Sequence, residues 1–216
     1  NAFRMCFSDP NQGSASADYI ADNNLAKKVA VIYNSSDTYS SGIYQNFVTE
    51  AEKKGLEVVA AKAFTADNKT DFSVQIQKAK DAGAELVFLP IYYQEASIIL
   101  KQASDKEFAP VFFGCDGMDG ILSVENFDTS LAEGLMLLTP FSTTEESSKA
   151  FTEAYVAAYG IEPNQFAADS YDAIYAIKAA VEKAGVTADM SASDICDALK
   201  PAMTEISIDG LTGSDM

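Results

Sequence analysis

Histidine is absent from the 216-residue sequence. Without an imidazole, the chain has no histidine general base, no Ser-His-Asp or Cys-His nucleophile and no imidazole metal ligand. Basic residues are also few, with 15 lysines and arginines against 32 acidic residues and a formal net charge of −17. A surface with this charge repels nucleic acid and anionic lipid, so no nucleic acid is predicted as a partner.

Several motifs that would indicate a metal or a cofactor are missing as well. The three cysteines have no CxxC spacing, which argues against a zinc site or a redox pair. Neither GxGxxG nor GxxxxGK followed by Ser or Thr occurs, so phosphate binding is disfavoured. Asp116, Asp119 and Asp128 do not have the spacing of an EF-hand loop. No metal and no cofactor are therefore predicted.

Long apolar runs are absent too. No run approaches the roughly 18 residues that a membrane-spanning helix needs, and no segment resembles a signal peptide. The chain begins at Asn1 rather than at a methionine, so it is interpreted as part of a longer precursor. Its opening segment, NAFRMCFSD (residues 1–9), is predicted to be a strand.

What the sequence does contain is an alternation of short apolar runs and amphipathic stretches. Strands are predicted at residues 28–33, 57–64, 85–91 and 110–114. Their nearly continuous apolar character is typical of strands covered on both faces, as in a parallel sheet. The stretches between them carry apolar residues at three- and four-residue spacing, which predicts helices. The pattern indicates an α/β fold with a doubly wound parallel sheet.

The alternation stops after a predicted strand at residues 133–141. Helices are predicted at residues 146–158, 166–184 and 193–199, followed by a short strand or turn at 206–213. Their apolar faces must be buried, yet no strands remain to form a second sheet. We therefore predict a doubly wound lobe at residues 1–140, followed at 141–216 by the C-terminal helices and a short strand of another lobe, which is incomplete.

Candidate functional residues follow three of the predicted strands. In an open parallel sheet, the ligand crevice lies beyond the carboxyl ends of the strands. Tyr39, Tyr92 and Asp116 occupy these positions, with no lysine or arginine in the same loops. Aromatic rings beside one carboxylate suit a small solute that carries an ammonium group. Alternatively, the tyrosines cover the sheet edge and Asp116 forms a turn before Gly117.

Five segments resemble, in order and spacing, the branched-chain amino-acid (Leu/Ile/Val-binding) type of periplasmic solute-binding protein. They are FRMCFSDPNQGSASADYI, KKVAVIYNSSDTYSSGIYQNF, DFSVQIQKAKDAGAELVFLPIYYQEASIILKQA, FFGCDGMD, and AEGLMLLTPFS with FTEAYVAAYGIEPNQFAADSYDAIYAI. Proteins of this type I family are the receptor components of ABC importers. The resemblance implies two doubly wound lobes, joined by a three-stranded hinge, that close on the ligand.

The resemblance also implies roles for individual residues. Tyr39 and Tyr92 stand where the second lobe contacts the ligand, and Asp116 stands where an acidic residue receives the α-ammonium group. Phe166 corresponds to an aromatic residue that the first lobe presents to the ligand side chain. The groups that bind the α-carboxylate would belong to first-lobe residues preceding Asn1. The chain is thus expected to be a fragment that lacks most of its first lobe.

The expected protein is a non-enzymatic, extracytoplasmic receptor that binds an amino acid or a similar small zwitterion and delivers it to a membrane permease. The apolar faces of the late helices are expected to be covered by a second copy of the chain, as a homodimer, or by rearranged packing. One alternative is an extracellular ligand-sensing domain of the same fold. Another is a flavodoxin-like enzyme or receiver domain, which is disfavoured because Asp37 and Asp116 lack a lysine partner in these loops.

Overall fold

The computed structural model describes residues 2–216. It contains two compact units, Ser8–Thr139 and Pro140–Met216, the second of which also includes residues 2–7. The division after residue 139 lies next to the boundary expected from the sequence, whereas residues 2–7 group with the later unit. The assignment of the two units to lobes of a receptor stays a prediction.

A parallel sheet of five strands, in the order β2-β1-β3-β4-β5, forms the middle of the Ser8–Thr139 unit. The strands are β1 (Lys28–Asn34), β2 (Glu57–Phe64), β3 (Leu86–Leu89), β4 (Val111–Gly114) and β5 (Met136–Leu137). The first four lie within the predicted apolar runs or within one residue of them. This sheet confirms the predicted α/β, doubly wound class.

Helices cover both faces of this sheet. They are α1 (Asp9–Asp22), α2 (Thr38–Lys54), α3 (Ser73–Asp81) and α4 (Tyr93–Asp105). Val29 and Val31 of β1 are buried with residues of α1 and α2. Ala30 and Ile32, which point to the opposite face, are buried with residues of α3 and α4. The alternation along one strand therefore builds two apolar cores, which explains the continuous apolar run of β1.

The predicted strand at the start of the chain is wrong for the described residues. Residues 2–8 form no strand, residue 1 lies outside the described residues, and α1 begins at Asp9. Pro10 favours this helix start, because its fixed φ angle suits the first turn and its missing N–H would have no intrahelical partner there. Helix α1 was not among the helices predicted from the sequence.

The predicted strand at residues 133–141 is much shorter than expected. Only Met136 and Leu137 form β5, and they pair with Phe113 and Gly114 at the edge of the sheet. A short helical turn at Thr129–Ala132 precedes the strand, and Pro140, which has no N–H to donate, follows it. The strand is thus bounded by a helical turn on one side and by a bend at Pro140 on the other.

Three helices dominate the other unit: α5 (Lys149–Tyr159), α6 (Gln165–Ala184) and α7 (Ala192–Ala202). All three overlap the helices predicted from the sequence. The side chain of Asn164 caps α6 by accepting a hydrogen bond from the N–H of Ala167 at 3.1 Å. Within residues 2–216, none of the helices combines the length and the apolar character that crossing a bilayer requires.

The end of this unit is held by one buried carboxylate. Asp172 of α6, which is 1% exposed, accepts hydrogen bonds at 2.9 Å from the N–H groups of Leu211 and Thr212. Ile208 and Met216 exchange two backbone hydrogen bonds of 3.0 Å. The segment predicted as a strand or turn at residues 206–213 is thus a turn, fixed to α6 by Asp172.

Candidate ligand-binding site

The candidate site lies where the strand order of the Ser8–Thr139 unit changes direction. Neighbouring strands β1 and β3 run parallel, and they continue into helices on opposite faces of the sheet, α2 and α4. At such a switch point, the connections diverge and leave a crevice beyond the carboxyl ends of the strands. Tyr39, near the start of α2, and Tyr92, just before α4, therefore border the same crevice.

The two tyrosine rings stack on each other. Their centroids lie 5.0 Å apart, with an angle of 23° between the ring planes. Asp37 fixes the start of α2, since its side chain accepts a hydrogen bond from the N–H of Tyr39. Tyr92 is 44% exposed, whereas Tyr93 packs against the core between the sheet and α3 and α4. The pair forms an aromatic surface of which Tyr92 is the accessible part.

Asp116 lies beside Tyr39 and is hydrogen-bonded to it. It follows β4 and begins a short helical turn, Asp116–Met118, and its side chain is almost completely buried. The hydroxyl of Tyr39 donates a hydrogen bond of 2.6 Å to Asp116 Oδ1, and the N–H of Gly117 donates one of 2.7 Å to the same oxygen. Among the described residues, none donates a hydrogen bond to Oδ2. One carboxylate oxygen is thus held in place while the other keeps its capacity to accept.

The hydroxyl of Tyr39 is used within the protein. It donates to Asp116 and accepts a 3.0 Å hydrogen bond from the N–H of Gly117. A side chain at position 117 would collide with this contact, because a Cβ there would lie 2.7 Å from the hydroxyl oxygen. A ligand would therefore meet the ring of Tyr39 rather than its hydroxyl donor.

Burial and negative charge shape the electrostatics of the site. Burial, followed by the charges of Asp37 and Asp116, raises the pKa of Tyr92. Burial also raises the pKa of Tyr39 far above its ordinary value, with Cys115 and Asp116 adding to the effect. The buried thiol of Cys115 likewise has a raised pKa, so it stays protonated at neutral pH and is a poor nucleophile. The site favours a cation over an anion.

The structure thus brings together three of the four residues predicted from the sequence. Phe166 belongs to the other unit, where it lies in the first turn of α6 and is 38% exposed. Within the described part of the chain, no three acidic or cysteine side chains lie close enough together to hold a metal ion.

Sequence reasoning missed one residue of the site. Gln12 of α1 is completely buried, and its Oε1 accepts a 3.1 Å hydrogen bond from the N–H of Asp116. The signal for it lies in the spacing of α1. Gln12, Ser16 and Ile20 follow each other at four-residue intervals on the buried face of the helix. Two polar residues on the buried face of a helix indicate a structural or functional contact.

Comparisons with known proteins agree with this architecture. A family model described as periplasmic binding protein matches residues 1–216. The Leu/Ile/Val-binding protein homolog 3 of Brucella melitensis is 30% identical over 192 residues, which are 89% of this chain and 51% of that protein. The leucine-, isoleucine-, valine-, threonine- and alanine-binding protein of Pseudomonas aeruginosa is 27% identical over 85% of this chain and 48% of that protein.

A solved structure shows a similar fold. The branched-chain amino acid transporter substrate binding protein LivJ of Streptococcus pneumoniae, in complex with isoleucine, is 29% identical. It superimposes with a TM-score of 0.82 over 96% of this chain and 57% of that protein. The chain spans about half the length of the curated relatives that it matches.

Proposed function

Because this chain belongs to the periplasmic binding protein family, we propose that it is part of the solute receptor of an ABC importer. The receptor binds an amino acid of the branched-chain type, or a similar small zwitterion, between two lobes and delivers it to a membrane permease. The observation that carries this proposal is the carboxylate of Asp116, which is fixed by Tyr39 and Gly117 at the switch point of the sheet.

The chemistry of the three residues suits an ammonium group attached to an apolar skeleton. Asp116 is 7% exposed and keeps one oxygen able to accept, so it can pair with an ammonium in surroundings of low dielectric constant. The exposed face of Tyr92 offers apolar contact for the carbon skeleton. Relatives named for binding leucine, isoleucine and valine support the choice of this solute class.

The proposed role requires no catalysis. The thiol of Cys115 is buried and protonated, the hydroxyl of Tyr39 is used in holding Asp116, and the sequence contains no histidine. A receptor of this family works outside the cytoplasm, and closure of its lobes creates the shape that a permease recognises. Phe166 is proposed to contact the ligand side chain from the other lobe.

A thermal-shift screen of the complete gene product tests this function. L-Leucine, L-isoleucine or L-valine at one hundred times its dissociation constant should add about 2.7 kcal/mol to the free energy of unfolding. For a cooperatively unfolding unit of about 150–250 residues, that corresponds to a rise of roughly 5–10 °C in the melting temperature. Aromatic amino acids and small amides extend the screen, and succinate, which has no ammonium group, serves as the control.

The outcomes separate the alternatives. A shift in the complete gene product, but not in this chain measured alone, would support capture between two lobes. A shift with succinate but not with the amino acids would contradict an ammonium site at Asp116. No shift with any amino acid would contradict amino-acid capture.

We also propose that this chain, when isolated, forms a homodimer through the exposed apolar face of its late helices. The large apolar residues on these helices and in the loop after α5 that are at least 38% exposed are Val156, Tyr159, Ile161, Phe166, Tyr171, Ile174, Tyr175 and Ile177. An apolar surface of this kind favours association. Sedimentation of the isolated chain should therefore show a dimer, and the double substitution of Ile174 and Ile177 by glutamate should convert it to a monomer.

The control is Val74→Glu, which adds a charge at an exposed position of α3 in the other unit. It should leave the dimer intact. A monomer at high micromolar concentration, in which the late helices keep their helical content, would refute the dimer.

A further inference from the structure

We infer that Gln12 is a positioning residue for the ligand-binding carboxylate: it holds the main chain of Asp116 while Tyr39 holds the side chain. This inference rests on the proposed function of Asp116 as the ammonium-binding group. It concerns a helix, α1, that contributes no residue to the predicted ligand contacts.

The first support is the contact itself. The N–H of Asp116 donates to Gln12 Oε1 at 3.1 Å, and the two residues are 104 positions apart in the chain. Because the backbone N–H is a donor, the acceptor must be the oxygen of the glutamine amide. Asp116 starts a short helical turn, whose first N–H groups have no partners within the turn. Gln12 supplies the partner for one of them.

The second support is the complete burial of Gln12, which depends on the missing side chain of its neighbour Gly13. Helices α1 and α2 approach so closely at this point that a Cβ on Gly13 would collide with the carbonyl of Ile43 and lie 2.8 Å from the nitrogen of Phe47. A glycine therefore allows the start of α1 to reach the end of β4. Helix α2 also carries Tyr39. The two closely packed helices therefore hold one aspartate, α1 through its main-chain N–H and α2 through its side chain.

The third support is energetic. Gln12 Nε2 is buried, and no hydrogen-bond partner for it exists among the described residues. A buried unpaired donor destabilises the folded state, and an apolar side chain of similar size would remove this donor while leaving the N–H of Asp116 without its acceptor. The position thus retains a polar group whose one satisfied contact is to Asp116. This is the pattern expected of a residue that serves the site rather than the stability of the fold.

The test is Gln12→Leu in the complete gene product, with L-leucine and 4-methylpentanoate as probes. The second compound is leucine without its amino group, so it cannot pair with Asp116 as an ammonium. We expect the affinity for L-leucine to fall about tenfold, while that for 4-methylpentanoate changes less than about twofold. The melting temperature should stay within about 4 °C, because the substitution also removes the unpaired Nε2.

A second measurement does not depend on any ligand. The amide proton of Asp116 should exchange with solvent at least about tenfold faster in Gln12→Leu, since its acceptor is gone. The matched control is Gln102→Leu in the same unit, because Gln102 Oε1 also accepts from a backbone N–H, that of Phe72, at 2.8 Å. The control should leave the affinity for L-leucine and the exchange at Asp116 unchanged.

Equal losses of affinity for both probes would indicate general damage to the fold and would overturn the inference, as would an unchanged affinity for L-leucine. If the unmodified protein bound none of the amino acids in the thermal-shift screen, the proposed function would fail. The exchange rate at Asp116 would then decide the positioning role: a faster rate in Gln12→Leu supports it, and an unchanged rate refutes it.

Discussion

Replacing Asp116 with alanine in the complete gene product should weaken the binding of L-leucine by more than tenfold. Asp116 is 7% exposed, and one oxygen of its carboxylate is fixed by Tyr39 and Gly117. Truncating one partner of a buried charge pair costs about 2–5 kcal/mol, largely because the other charge is then buried without compensation. Isothermal titration calorimetry of the variant and the parent measures the difference directly.

Two further variants show whether the effect belongs to the charge at this position. Asp116→Asn keeps the shape of the side chain but removes its charge, so it should lose most of the same affinity. Asp105→Ala also removes a negative charge, but from an exposed position on α4 where the ion pair with Lys101 contributes little. It should bind L-leucine like the parent. If Asp116→Ala also bound like the parent, the ligand site would have to lie elsewhere.

Much of this site could be predicted from the sequence, because it depends on where strands end. The apolar runs before Tyr39, Tyr92 and Asp116 are strong local signals, and parallel strands place their carboxyl ends at one edge. The structure brings these three residues together as that argument requires. Their contacts with a ligand stay a prediction.

The hydrogen bonds of the Tyr39 hydroxyl could not be predicted from the positions of the strand ends. Spacing along the chain indicates that Tyr39 and Asp116 share an edge, but not that one oxygen of Asp116 accepts from both Tyr39 and Gly117. That detail depends on rotamers and on the close approach that Gly117 allows. It gives Tyr39 a second role, as a support for Asp116, in addition to the aromatic surface that the sequence predicts.

Gln12 was missed for a different reason. The segment from Asp9 to Asp22 contains glycine, serine and aspartate, which have weak intrinsic helix propensity, and its apolar residues are few. Packing of α1 against α2 stabilises the helix, and that packing is a tertiary effect. The contact from Gln12 to Asp116 spans 104 residues, so no local window of sequence contains both partners.

The second large effect concerns the core beneath the site. Phe88→Ala should lower the free energy of unfolding of the Ser8–Thr139 unit by about 3–5 kcal/mol, the usual cost of truncating a buried phenylalanine. Phe88 is completely buried in β3, and its ring stacks on Phe47 of α2 with a centroid distance of 4.1 Å. Urea unfolding followed by far-ultraviolet circular dichroism measures the change, and it suits a chain without tryptophan.

The control for Phe88→Ala is Val74→Ala, which removes apolar atoms from a side chain that is 67% exposed and should change the stability by less than about 0.5 kcal/mol.

The effect of Phe88→Ala on the site follows from the elements that Phe88 connects. Phe88 packs β3 against α2. Strand β3 leads to Tyr92, and α2 begins beside Tyr39. A cavity here should therefore loosen the stacking of the two tyrosines before the unit unfolds. A loss of less than about 1 kcal/mol would mean that the surrounding side chains collapse into the space, and that the site does not depend on this contact.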